Sequence, residues 1–365
     1  MERVINFGAG PAQIPLEVLQ EVQRDLLNIG GSGMSILEVS HRGGVFDKII
    51  KEAEEDLRSV LSIPSNYKVI FFQGGGTAQF ASVPLNLLGP SNVPPDYLIT
   101  GKWSQSAYNE AKLYCAPQAA CDSPNSQFVT IPPSTSWVQN PKAPYIFYCD
   151  NETVDGIEFS GIPSTLPGVP LVVDMSSNFL SRPVDVSKFG AIYAGAQKNC
   201  GMSGVTIVIV REDLLDIRSP HPIPTILNWK KNSSLGSCLN TPPTMAIYVA
   251  GLVFKWILKE GGLTEMAARS KQKSELLYST IDQSNGFYIP HVEPNSRSRM
   301  NVVFTIKNPS LLNKFIKEAE SKGLHGLAGH RSVGGLRASL YNAVTLPQVQ
   351  QLTTFMKQFQ IENSN

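Results

Sequence analysis

The chain has 365 residues, 31 basic against 30 acidic side chains for a formal charge of +1, and 42% hydrophobic composition. That length suits two domains, or one large domain with a smaller appendage, and provides a core that needs no disulfides. A near-neutral balance with no block of like charge argues against broad electrostatic binding to nucleic acid or to an anionic membrane.

The opening MERVINFGAGP holds no apolar stretch of signal-peptide length. Leu16, Leu19, Val22, Leu26 and Ile29 recur at helical spacing, which predicts a helix over 16–29 stopped by Gly30 and Gly31. A second helix is predicted over 46–61. Short apolar runs at 68–72, 96–100, 145–149, 171–174, 191–195 and 205–210 read as strands. Runs with little polar alternation suit a sheet covered on both faces. Within this series, QGGGTAQF predicts a turn and a helix beginning near Thr77.

Thr241, Pro242 and Pro243 open a long helix, with Thr241 expected as its N-cap and Gly261 and Gly262 ending it. Its stretch MAIYVAGLVFKWIL is too short for a membrane span and is broken by Lys255. Beyond it come a helix near 264–283, a strand at 301–307, a helix over 311–323, a strand at 336–341 and a final helix from Pro347. The alternation predicts an α/β fold with a mostly parallel sheet flanked by helices. The large domain is expected over 16–257, and 1–15 with 258–365 form a smaller α+β domain. Five widely spaced cysteines (Cys115, Cys121, Cys149, Cys200 and Cys238) contain no CxxC, which gives no ligand set for structural zinc and suits a reducing, cytoplasmic setting.

Several residues can carry chemistry. The three glycines at 74–76 let a backbone approach a ligand closely, and N–H groups at a helix start attract an anion. The stretch matches neither a Walker A loop nor GxGxxG, and a plain strand-to-helix turn explains it equally well. Asp174 ends an apolar strand at the edge where open α/β sheets bind ligands, though a lone Asp there also serves as a cap. Lys198, in YAGAQKNCG, is either a solvated loop lysine or an amine nucleophile. Together, a phosphate cradle, a sheet-edge carboxylate and a loop lysine are what pyridoxal phosphate requires. His41 with Arg42, His330 with Arg331, and Arg337 supply forked donors suited to an anionic substrate, against the alternative of separate surface ion pairs. Trp103 follows a strand at the same edge, placed to stack on a ring or to pack in the core.

The segments NFGAGPA, SILEVSHR, FFQGGGTAQFASVPLNLL, DMSSNFLSRPVDVSKFG, AGAQKN, LNTPP and GHRSVGGLRASLYNAV, colinear over nearly the whole chain, resemble the phosphoserine aminotransferase family. The resemblance implies the type I aminotransferase fold with a seven-stranded sheet, pyridoxal 5'-phosphate as cofactor, and a homodimer with active sites shared across its interface. It implies exchange of an amino group between glutamate and 3-phosphohydroxypyruvate, giving 2-oxoglutarate and phosphoserine in serine biosynthesis. Carried over by position, Lys198 is the Schiff-base lysine and proton carrier, and Asp174 is the partner of the ring nitrogen. Gly76, Thr77 and Gln197 hold the phosphate, Trp103 stacks on the ring, and Thr153 bonds the ring hydroxyl. Asn240 and Thr241 reach the phosphate of the neighbouring subunit, while His41, Arg42, His330, Arg331 and Arg337 bind the anionic ends of the substrate. Thr77 and Asp155 depart from the family pattern, which has a basic side chain in some members at the first and His at the second. The SSLGSC stretch ahead of LNTPP is slightly extended. Related chemistries, an alanine–glyoxylate aminotransferase or a cysteine desulfurase, share the lysine and aspartate but need no pair of His-Arg motifs, and a desulfurase needs a mobile cysteine. A non-catalytic metabolite binder would have no use for both Lys198 and Asp174.

Overall fold

The computed structural model describes residues 3–123 and 127–364. A seven-stranded sheet runs in the spatial order Tyr67–Phe72, Thr206–Arg211, Ala191–Gly195, Leu171–Asp174, Ile146–Cys149, Asp96–Ile99, Gln118–Asp122. Every pairing is parallel except those of Thr206–Arg211, which runs antiparallel to both neighbours. Six of these strands match the apolar runs. The seventh, Gln118–Asp122, was not expected: QAACD carries only three apolar residues, and it lies at the sheet edge.

Alternate side chains of each central strand enter opposite cores. Val69, Phe71, Val173, Ile192, Ala194, Ile207 and Ile209 pack under the helices Gly44–Leu61 and Thr244–Lys259. Ile70, Phe72, Val172, Tyr193, Val208 and Val210 face the helix Gly75–Leu87 through Phe80, Val83 and Leu87. The period of two therefore buries both faces, and this is why the strands read as unbroken apolar runs. A third core joins the two ends of the chain. Ile5 and Phe7 pack with Leu277, Phe304, Phe315, Leu336 and Phe355, beside the antiparallel sheet Tyr288–Pro290, Asn301–Ile306, Leu336–Ser339. The helix Gly262–Asp282 bridges the cores, with Leu263 and Met266 in the first and Leu277 and Ile281 in the third.

Two helix expectations are corrected. The first helix is Leu16–Asp25, not 16–29. Asn28 Oδ1 accepts from the Gly33 N–H at 2.7 Å, a local bond that competes with helix continuation, and Ile29 is buried from a separate short turn. Thr241 does not cap the long helix, which begins at Thr244. Pro243 has no N–H to give to Thr241, and the N–H of Thr244 is already bonded to the Pro242 carbonyl.

Candidate active site

The strand ends Cys149 and Asp174 stand in register with each other and with Tyr193, mid-way along the next strand. Above them opens a cavity of about 340 Å³, lined by the 9–10 backbone, the glycine turn, Trp103, Thr153, Asp174, Ser176, Gln197, Lys198, His330 and Arg337. The topology thus brings seven separated segments together at one sheet edge, the place where open α/β sheets bind ligands.

Lys198 follows the strand Ala191–Gly195 in a tight turn whose backbone N–H bonds the Ala196 carbonyl at 2.7 Å. Its Nζ donates to Thr153 Oγ1, also at 2.7 Å. Burial pushes the amine down to about 8, with Arg337 acting in the same direction, while Asp174, Cys149 and Glu152 pull it back up. A far larger fraction of this amine is neutral near pH 7–8 than of an exposed lysine. Asp174 is buried, and burial raises its carboxyl, opposed by hydrogen bonds from Ser176 and by the Lys198 charge. Ser176 N donates to Asp174 Oδ1 at 2.7 Å, and Ser176 Oγ accepts from the Gly195 N–H at 3.0 Å, so one serine ties two strand ends together.

At the glycine turn, Gly74 adopts φ +95°, and a Cβ there would come within 2.5 Å of Ala78 Cβ, so only glycine fits. The helix begins two residues earlier than expected, at Gly75, and carries no side-chain cap. Its first turn, Gly75, Gly76 and Thr77, lines the cavity, and the unpaired N–H groups of a helix start suit an anion there. A Cβ on Gly76 would sit 3.5 Å from Asp174 Oδ2, which brings that backbone directly against the carboxylate.

Trp103 is the second residue of the helix Lys102–Ala111 and packs against Phe80 with ring centroids 6.5 Å apart. Its indole Nε1 is buried with no hydrogen-bond partner among the described residues. Two acids hold the helix start. Glu152 accepts from Trp103 N at 2.7 Å, Ser104 N at 2.9 Å and Ser104 Oγ at 2.6 Å, and Asp155 Oδ2 accepts from Lys102 N at 2.8 Å. Gly101 has to be glycine, because a Cβ there would lie 2.5 Å from the Glu152 carboxyl carbon. Burial and the neighbouring Asp155 push Glu152 up to about 8, against donors that favour its carboxylate. Burial pushes Asp155 up to about 6, opposed by the Lys102 N–H, Lys102 and Arg337.

Arg337, on the strand Leu336–Ser339, donates from Nη1 to the Thr153 carbonyl at 3.1 Å. His330 Nδ1 lies 2.7 Å from Ser332 Oγ, and burial, Arg337, Arg331 and Lys102 lower its ring below the usual histidine range. The other expected residues stay outside. Arg42, Asn240, Thr241 and Arg331 are exposed, and His41 is partly buried with Nε2 unpartnered; none of the five lines the cavity. The Thr241 carbonyl accepts from Gln73 Nε2 at 3.0 Å, so the 240–241 segment abuts the glycine turn from outside.

Sequence reading missed Glu152, Ser176 and Cys149. Glu152 sits in NET, where Thr153 drew the attention, and no spacing rule flags an acid that caps a helix 49 positions earlier. The SSNF run after Asp174 was the available signal for Ser176. Cys149 lines the cavity, but burial raises its thiol well above the usual range, which disfavours the nucleophilic thiolate.

The donor set fits pyridoxal phosphate: an uncapped helix start for the phosphate, a buried carboxylate for the ring nitrogen, a large indole beside the ring, and an amine of lowered basicity. Comparison with known proteins agrees. The family model of class-V aminotransferases matches residues 4–352. The chain is 53% identical over 366 residues to the phosphoserine aminotransferase of Drosophila melanogaster, covering 99% of this chain and 100% of that one. Among solved structures, the phosphoserine aminotransferase from Bacillus circulans superposes with a TM-score of 0.96 at 44% identity, covering 99% of each chain. The pyridoxal-phosphate-bound enzyme from Trichomonas vaginalis gives 0.93 at 40% identity, over 97% of this chain and 100% of that one. On the geometry and the full-length likeness together, the chain belongs to the class-V aminotransferases and, within them, to the phosphoserine aminotransferase family.

Proposed function

We propose that the chain transfers an amino group reversibly between L-glutamate and 3-phosphohydroxypyruvate, giving 2-oxoglutarate and O-phospho-L-serine, as a step of L-serine biosynthesis. The observation that carries this reading is the placement of Lys198 between Thr153 and Asp174, with Arg337 bonded to the same threonine. Pyridoxal phosphate, when bound, supplies the electron-accepting ring on which the amino group is exchanged.

The residues of the chain do the rest. The N–H groups of Gly76 and Thr77, with Gln197, would hold the phosphate at the helix start, and Trp103 would cover the ring. Asp174 would keep a proton on the ring nitrogen, its carboxylate oriented by Ser176. Thr153 would meet the ring hydroxyl. Lys198, in its neutral form, takes the proton from the substrate α-carbon and returns it on the other side of the exchange. Arg337 takes the α-carboxylate that both amino-acid substrates share, and His330 adds a donor at the mouth. One site must accept a distal phosphate and a distal carboxylate in turn, which several charge-assisted donors allow where one fixed pair would not.

His41, Arg42, Asn240, Thr241 and Arg331 complete this set in a homodimer. All five lie outside the cavity of their own chain, and Asn240 and Thr241 would reach the phosphate of a second copy, with His41 and Arg42 meeting the substrate's anionic ends there. Arg331, next to His330, reaches the distal anion once substrate is present. Exposed Leu27, Met34 and Leu37 ahead of His41, and Leu235 ahead of Asn240, supply apolar surface that a partner would cover. We read the chain as a large domain over 16–257 and a small one from 1–15 and 258–365, which the separate core of the chain's two ends favours, although Ile14, Leu263 and Met266 pack with the large one. No helix among the described residues is long and apolar enough to cross a membrane, and five free cysteines suit the reducing cytoplasm. The test is glutamate formation from phosphoserine and 2-oxoglutarate by the holoenzyme. Turnover with alanine or cysteine as donor and none with phosphoserine would overturn the assignment.

A further inference from the structure

Lys273 lies on the helix Gly262–Asp282, 1% exposed, and among the described residues it makes no ion pair. An ammonium is placed in such a site only when its protons are fully used. Here Nζ donates to the carbonyls of Leu340, Tyr341 and Val344 at 2.9, 2.8 and 2.7 Å. Three acceptors require three N–H donors, which only the charged form possesses. Burial, helped by Arg269 one turn earlier, pushes the group down to about 7, while acceptance by three carbonyls favours the charged form.

The turn that Lys273 grips also grips the active site. Tyr341 Oη donates to the Ala9 carbonyl at 2.8 Å, and the 9–10 backbone lines the cavity. A Cβ on Gly10 would touch Lys198 Cγ at 3.4 Å, so that backbone forms one wall of the lysine's channel. From the next residue, Asn342 N donates to Asn199 Oδ1 at 2.9 Å and Nδ2 to the Leu180 carbonyl at 2.8 Å. Residues 341 and 342 are thus tied to the 9–10 wall beside Lys198 and to Asn199, the residue that follows Lys198 in the chain.

We infer that Lys273 is a positioning residue for the transamination, acting through the 340–344 turn, with Tyr341 as the relay that sets the wall against Lys198. The inference rests on the function proposed above. It differs from a purely structural role in one respect: the Lys198 environment, and not stability alone, depends on Lys273.

The test uses holoenzyme of wild type, Lys273→Met and Tyr341→Phe. Tyr341→Phe leaves every carbonyl in reach of Lys273 and removes the relay, together with the bond that Tyr341 Oη accepts from Asn301 Nδ2 at 3.1 Å. The first readout is the pH midpoint of the visible absorbance of cofactor joined to Lys198, whose surroundings (Asp174, Cys149, Arg337 and Glu152) are identical in all three proteins. The second is kcat per bound cofactor, with KM for phosphoserine measured alongside. Both variants are expected to move the midpoint by about half a pH unit or more. Both should lower kcat about tenfold, with KM within about twofold because Arg337 is untouched. A Tyr341→Phe holoenzyme with wild-type midpoint and kcat overturns the inference, and does so even if Lys273→Met fails to fold. A folded Lys273→Met that loses only melting temperature overturns it equally. Wild-type holoenzyme inert toward phosphoserine would sink the functional reading instead, and the spectral midpoint would still decide this one.

Discussion

Lys198 Nζ and Thr153 Oγ1 stand 2.7 Å apart, while the carbonyl of the same threonine accepts from Arg337. The group proposed to move the proton and the group proposed to bind the substrate carboxylate are therefore indexed to one residue. Reaction geometry in this site depends on few degrees of freedom, the condition under which orientation lowers a barrier most.

Replacing the amine should remove turnover without removing the site. Lys198→Ala is expected to lower kcat at least about a thousandfold while the protein stays folded and keeps pyridoxal phosphate by non-covalent contacts. Steady-state rates and equilibrium dialysis of the cofactor check both halves. Near-normal transamination would contradict the role.

The lowered basicity of Lys198 fixes a pH dependence. In the cofactor-free chain the folded amine sits at about 8, below its ordinary 10.5. The unfolded chain holds the proton up to the higher value, so stability from this group rises with pH between these limits and its burial penalty is fully present below pH 8. The rate of pyridoxal phosphate uptake should climb through the same midpoint and level off above it. Stopped-flow absorbance across pH 6–10 reads it, and a flat profile would contradict it.

Arg337→Ala should weaken both amino-acid substrates, since each presents an α-carboxylate. Loss of a charge-assisted pair predicts about a 10- to 100-fold rise in KM for phosphoserine and for glutamate alike. Arg337→Lys should recover little, because an ammonium cannot form the two-point fork. A rise for one substrate only would show that the arginine serves the distal anion.

Glu152 gives a prediction that neither substrate enters. Glu152→Ala strips the acceptors from Trp103 N and Ser104 N at a buried helix start, and should cost about 1–3 kcal/mol of stability. It should also loosen Trp103 within the cavity wall. Denaturant unfolding gives the first quantity, and quenching of tryptophan fluorescence by added cofactor reports the second. Unchanged stability would mean that other groups cap that helix.

Much of the scaffold was legible because its physics is local. The strands Leu171–Asp174 and Ala191–Gly195 have the bounds that their apolar runs suggest, and the residues that follow them are Met175 and Ala196, the start of the turns that carry the chemistry. Direction was not legible: Thr206–Arg211 runs antiparallel, and an apolar run looks the same either way. Thr241 misled because a threonine before two prolines looks like a cap, whereas a proline without an N–H cannot receive that service. In the site, Lys198, Asp174 and Arg337 stood out through motif likeness. Glu152 and Lys273 did not, since their partners are backbone groups far away in the chain and backbone groups leave no trace in composition. His41, Arg42, Asn240 and Thr241 were named by resemblance, and they lie outside the cavity of a single chain, to which the proposed homodimer would bring them from a second copy.

The most direct measurement is the visible spectrum of purified holoenzyme before and after addition of phosphoserine. A yellow band that bleaches on addition, with the phosphorylated keto acid released, is the predicted result. It would establish the cofactor, its link to Lys198 and the donor in one experiment. A yellow band that phosphoserine leaves unchanged would contradict the account.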